Sequence, residues 1–93
     1  MEAKGKLIMK GETTEYGAKG FKKRDFAVEI PDEKYPQKIG FELIQDKCEL
    51  LDDIEVGDTV KLSYNLRGRD WTNPKGEVKY FNSLQVWKLE IDF

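Results

Sequence analysis

Arg67, Arg69, Trp71, Asn73 and Lys75 crowd into one short stretch of a 93-residue chain. Two guanidiniums and an ammonium can neutralise phosphates, and an indole offers a flat face to a base. Lys19, Phe21, Lys22, Lys23 and Arg24 form a second group of this kind, and Lys79, Tyr80, Phe81 and Asn82 a third. An aromatic beside bases on a solvent face is the pattern of a platform for single-stranded nucleic acid. Each group also has a purely structural reading. The first can be a solvated hairpin loop whose Trp folds back onto the domain. The second can be a basic edge that discourages sheet pairing. The third can hide both aromatics in a bulge or a dimer contact.

Other chemistries lack their residues. With no histidine there is no ordinary catalytic triad and no imidazole zinc site. The one cysteine, Cys48, cannot build a thiolate cluster or an internal disulfide. No Gly-rich phosphate loop appears. Asp52-Asp53 with Glu49 is a pair of acids plus one, but no second ligand cluster accompanies it, so it reads as a solvated helix face rather than a metal site. The expectation is a protein that is not an enzyme and needs no cofactor and no metal.

Charge and hydropathy narrow the partners. The formal net charge is −2, which alone argues against a strong nucleic-acid binder. The average hides a segregation. Between Glu42 and Asp58 lie seven acids against one base, Lys47, and the rest of the chain holds 15 bases against 11 acids. One acidic segment in a mildly basic domain leaves room for a basic face. No stretch approaches the roughly 20 apolar residues of a membrane helix, and the first residues contain no apolar run of signal-peptide length. A cytoplasmic protein with no membrane partner is expected, carrying its one cysteine reduced.

The elements that must position these groups are short strands. Lys6, Ile8 and Lys10 alternate with Leu7, Met9 and Gly11 in a segment from Lys4 to Thr14, where Gly5 and Gly11 suggest a bulge or a sharp coil. Gly17 to Gly20 form a turn. Phe21 to Ile30 place Phe26, Val28 and Ile30 on one face and Phe21, Lys23, Asp25 and Glu29 on the other. Lys38 to Gln45 put Ile39, Phe41 and Leu43 together. Asp46 to Asp53 form a short helix, with Asp46 as cap and Glu49 three residues on; Cys48 and Leu51 lie on its apolar side. Thr59 to Arg67 alternate Val60, Leu62, Tyr64 and Leu66 with Lys61, Ser63, Asn65 and Arg67. A loop spans Gly68 to Gly76. Val78 to Ile91 is the last strand, and its mixed parity predicts a bulge near Asn82 to Leu84 or burial of both faces. Trp87, Phe26, Phe41 and Tyr64 have core parity.

Three strands, a short helix and two strands, in one domain over residues 1–93, is the element order of the all-β, five-stranded OB-type barrel. In that fold the loop between strands four and five flanks the binding face, which brings Arg67 to Lys75 to the site; another small barrel or a two-sheet sandwich is the alternative. The stretch Tyr64-Asn65-Leu66-Arg67-Gly68-Arg69-Asp70-Trp71-Thr72-Asn73-Pro74, followed by Gly76-Glu77-Val78-Lys79-Tyr80-Phe81-Asn82-Ser83-Leu84, resembles an uncharacterised family of small bacterial and phage proteins grouped with OB-fold, single-stranded-DNA-binding-like domains. Phe21-Lys22-Lys23-Arg24-Asp25-Phe26 and Phe41-Glu42-Leu43-Ile44-Gln45-Asp46-Lys47-Cys48 match as well. The resemblance implies the fold and, for the ligand, DNA rather than RNA. The expected binding residues are Phe21, Lys23, Arg24, Asn65, Arg67, Arg69, Trp71, Asn73, Lys75, Lys79 and Phe81. The expected mode is charge plus stacking with little sequence preference, in a homo-oligomer that lengthens the binding track. The rival function is a protein-interaction or assembly module on the same barrel, anchored by Trp71 and Phe81.

Overall fold

Strand β1, Glu2–Tyr16, serves two neighbours. Its first part pairs antiparallel with β4, Thr59–Thr72, from Glu2↔Ser63 to Lys6↔Thr59. From Lys6 onward it pairs antiparallel with β2, Phe21–Ile30. A strand shared in this way must coil. Two register shifts let it do so, between Leu7 and Met9 and between Lys10 and Thr13. The glycines sit where backbones touch: a Cβ at Gly5 would collide with the Glu29 carbonyl and the Val28 side chain, and one at Gly11 with the Asp25 carbonyl. The computed structural model describes residues 1–92.

β2 continues antiparallel into β3, Gln37–Ile44, and β4 into β5, Val78–Ile91. One parallel bridge, Glu42↔Gln85, joins β3 to β5 and closes the barrel in the order β1-β2-β3-β5-β4. The expected OB-type barrel is therefore the observed fold, with the helical element between β3 and β4 as expected.

Inward alternation fills the barrel with Leu7, Phe26, Val28, Phe41, Leu43, Val60, Leu62, Val86 and Leu89. Phe26 and Phe41 are cross-strand partners and stack at 5.7 Å between ring centroids; Tyr64 meets Phe41 edge-on at 5.3 Å. Ile39, expected on the core face with Phe41 and Leu43, packs against the margin of the core, as does Leu84, and both are partly buried. The helical element is a 3-10 helix, Gln45–Leu51, packed against β2, β3 and β5. Its apolar side, Cys48 and Leu51, is buried with Ile54. Asp46 does not cap it, correcting the sequence reading: the chain enters from extended Ile44 and turns at Gln45 with φ 52°, and no side chain caps the start.

Three further expectations are corrected. Gly68 to Thr72 were expected as loop, yet β4 and β5 stay paired as far as Thr72↔Val78. Among the described residues these strands pair only with each other beyond the Glu42↔Gln85 bridge, so they leave the barrel as a two-stranded ribbon. Leu66, on core parity, is consequently 59 % exposed, because it lies on the ribbon beyond the closed part of the barrel. The β5 bulge lies not near Asn82 but at Trp87, since Ser63 pairs with Lys88 and Tyr64 with Val86. The extra residue turns outward, and Trp87 is 49 % exposed instead of in the core.

Candidate nucleic-acid interface

Successive residues of a strand face opposite ways, so the β4–β5 register sorts the ribbon into two faces. Asn65↔Gln85, Arg67↔Ser83, Arg69↔Phe81 and Trp71↔Lys79 share one; Leu66↔Leu84, Gly68↔Asn82, Asp70↔Tyr80 and Thr72↔Val78 share the other. The first face continues the outer wall of the barrel. There it meets the outward residues of β2 and β3, and an open groove of about 520 Å³ forms between them, lined by Phe21, Lys23, Glu42, Ile44, Arg67, Arg69, Phe81, Ser83 and Gln85. Five of the eleven residues expected to bind, namely Phe21, Lys23, Arg67, Arg69 and Phe81, thus line one groove.

Asn65, Trp71 and Lys79 lie on the same face outside it. Asn65 pairs with Gln85, while Trp71 and Lys79 pair with each other farther out along the ribbon. By strand rise they stand about 7 Å beyond the Arg69–Phe81 pair. Both aromatics of the Tyr80-Phe81 dipeptide are exposed, one on each face, rather than hidden together. Phe81 is in the groove and Tyr80 on the opposite side of the ribbon.

Asn73 and Lys75 belong to the ribbon's tip instead. The Asn73 side-chain oxygen accepts hydrogen bonds from the backbone N–H of Lys75 and of Glu77, each at 2.9 Å, which shapes the turn. Its carbonyl group is engaged there and does not face the groove.

Arg24 is corrected outright. It shares the inward parity of Phe26 and Val28 and is only 8 % exposed. Its Nε donates to the Gly11 carbonyl at 2.8 Å, and Nη1 donates to the Cys48 carbonyl at 3.1 Å and to Asp52 Oδ1 at 2.7 Å. The guanidinium ties the 3-10 helix to β1 and β2 and offers nothing to a ligand on the outer face.

Electrostatically the groove is basic with one exception. Among the described residues Arg67 and Arg69 make no ion pair. Lys23 Nζ lies 3.0 Å from Glu42 Oε2. The hydrogen bond that Lys23 donates to that carboxylate, aided by the carboxylate's charge, raises the Lys23 pKa above the ordinary lysine value, against the opposing pull of burial. Lys23 stays protonated, but its charge is partly spent on Glu42.

Three contributors escaped the sequence reading. Tyr16 is half-exposed and is the cross-strand partner of Phe21, which puts both rings on one face next to the groove. Extending β1 by two residues, up to the Gly17–Gly20 turn, would have found it. Glu42 and Gln85 are the barrel-closing pair, and no local pattern marks a long-range bridge. Among the described residues no cluster of three or more His, Cys, Asp or Glu side chains could hold a metal.

Solved structures share this architecture. The crystal structure of the mitochondrial single-stranded DNA binding protein Rim1 from S. cerevisiae (Form2) aligns with a TM-score of 0.70 at 12 % identity, covering 98 % of this chain and 91 % of that one. Its selenomethionine-labelled counterpart gives 0.69 at 13 % identity over the same shares. No curated protein matches the sequence. A family model does match, over residues 2–90, and so nearly end to end. The chain belongs to the DUF3127 family, a domain of unknown function.

Proposed function

We propose that this domain is a non-catalytic module that binds single-stranded nucleic acid, DNA in preference to RNA, along the outer face of β2, β3 and the β4–β5 ribbon. The observation that carries this reading is the shared face. Arg67 and Arg69 stand beside Phe81 on the ribbon, with Phe21 and Lys23 across the groove and Trp71 and Lys79 continuing the track. Unpaired guanidiniums attract phosphates, and exposed aromatic rings accept stacked bases of any identity. The likeness in fold to single-stranded DNA binding proteins supports the choice of ligand. Titration of a labelled single-stranded oligonucleotide at increasing salt tests it: binding should be present at low ionic strength and weaken as salt rises.

A homo-oligomer is a second reading with its own observation. Leu66, Val78 and Tyr80 are exposed on the ribbon face away from the groove. A second copy covering that face would remove apolar surface from water and join two binding tracks. Sedimentation of the chain with and without Tyr80→Glu tests it; an unchanged monomer in both cases would reject it.

A further inference from the structure

Glu42 is out of place in a groove built only for phosphates. It is the floor residue of the basic groove, 13 % exposed in its side chain, and it holds Lys23 through Oε2 at 3.0 Å. A carboxylate there repels a phosphodiester and offsets the nearest lysine. As a stabilising ion pair it contributes little, because the Lys23 side chain is 36 % exposed.

What surrounds Glu42 suits a base instead. Phe21 and Phe81 line the same groove and can stack a ring. Gln85, its barrel-closing partner, carries both a donor and an acceptor. An ionised carboxylate only accepts hydrogen bonds, and with Oε2 on Lys23 its other oxygen keeps acceptor capacity for a base. Cytosine, adenine and guanine each present an exocyclic amino group that can donate to it. Uracil and thymine present a carbonyl oxygen in that place, which the carboxylate repels. The Lys23 ammonium, adjacent to Glu42, can donate to the acceptor next to the amino group.

We propose that Glu42, set between Lys23 and Gln85 on the groove floor, determines base preference, selecting bases that carry an exocyclic amino group over uracil and thymine. The inference rests on the nucleic-acid reading above and sharpens it, since charge and stacking alone do not discriminate among bases.

The test is a fluorescence anisotropy titration of the full chain with labelled oligo(dC) and oligo(dU) of about 15 nucleotides, a length that one OB barrel can engage. At low salt and slightly alkaline pH, where cytosine is unprotonated, the two ligands carry equal charge and differ only in exchanging the 4-amino for a 4-oxo group and in the N3 proton. The wild type should bind oligo(dC) about five- to tenfold more tightly, the discrimination expected of a directed hydrogen bond to a base edge. Glu42→Gln should shrink that ratio to within about twofold, chiefly by strengthening oligo(dU), because a glutamine amide can donate to O4 as well as accept. A wild-type ratio near one overturns the proposal. So does a Glu42→Gln protein that binds both ligands more tightly by the same factor, since the carboxylate would then act only as a negative charge. Should the variant fail to fold, N4,N4-dimethylcytosine oligonucleotides replace it: loss of the preference with the wild-type protein supports the proposal, and its persistence overturns it. Absence of binding to every oligonucleotide at low salt defeats the nucleic-acid reading itself, an outcome distinct from binding without preference.

Discussion

Arg69 and Phe81 are direct cross-strand partners on the β4–β5 ribbon, so a guanidinium and an aromatic ring stand side by side on the groove wall. Opposed residues of an antiparallel pair have Cβ atoms about 5 Å apart. A phosphate held by Arg69 therefore brings its own nucleotide's base within reach of Phe81. The same pairing recurs two residues farther out with the roles exchanged, where Trp71 opposes Lys79. The ribbon thus repeats cation and ring along one face, which is what a backbone-tracking, base-stacking surface needs.

Charge and stacking can be separated by mutation. Arg67→Ala and Arg69→Ala should each weaken binding to all oligonucleotides and reduce the magnitude of the log–log salt slope by about 0.7, the share of one phosphate contact on a single strand. Trp71→Ala should cost about 1–3 kcal/mol of binding free energy with the slope nearly unchanged, because stacking releases no counterion. Salt titrations of the three variants check this directly.

Arg24→Ala should behave in the opposite way. Its three hydrogen bonds are internal, and two of the acceptors are backbone carbonyls that would lose their charged donor. Loss of stability of about 2–3 kcal/mol is expected in urea unfolding. Oligonucleotide affinity, measured where the variant is still folded, should match the wild type. Asp52→Ala should cost less than about 1 kcal/mol, because the Asp52 side chain is largely exposed.

Phe41→Ala tests the inward parity. The ring stacks on Phe26 and receives Tyr64 edge-on at the centre of the barrel. Its removal should cost about 3–5 kcal/mol, a large part of the stability of a small domain. An unchanged denaturant midpoint would contradict the packing.

Cys48 should be inert in the folded protein. Burial is the first cause that raises its thiol pKa, outweighing the opposing pull of the Arg24 charge, and the thiolate is the reactive form. A thiol reagent at neutral pH should leave native protein unmodified and label it on unfolding. Raising the pH should speed labelling only above the usual thiol range.

The bounds of β2 were legible in the sequence because period-two alternation runs up to clear turn signals at both ends, and those of β5, despite its mixed parity, because apolar residues recur from the Gly76 turn to Ile91. The order of elements, and with it the barrel, followed from them. The ribbon was not legible. Gly68, Asp70, Thr72 and Asn73 read as loop formers, yet the long pairing of β4 with β5 carries the first three through as strand, and only Asn73 turns the chain. Trp87 and Arg24 failed for related reasons. A one-residue bulge reverses parity without leaving a local mark, and a buried arginine is recognisable only once its acceptors, from β1 and the helix region, are known. Phe21, Lys23 and Arg67 were legible as charged or aromatic residues with outward parity, whereas Arg69 was legible only by type within an expected loop, and Phe81 only as one of two neighbouring aromatics whose parity was mixed. That they converge is a product of barrel closure at Glu42↔Gln85.

The most direct measurement is the equilibrium binding of a labelled single-stranded DNA oligonucleotide to the wild-type chain across a series of salt concentrations. With Arg67, Arg69 and Lys79 available for phosphates and Lys23 engaged by Glu42, the log–log slope should be about −2. Duplex DNA of the same sequence should bind more weakly, because paired bases cannot stack on Phe81 and Trp71. No binding at low ionic strength, or binding indifferent to salt, would contradict the assignment of this face to nucleic acid.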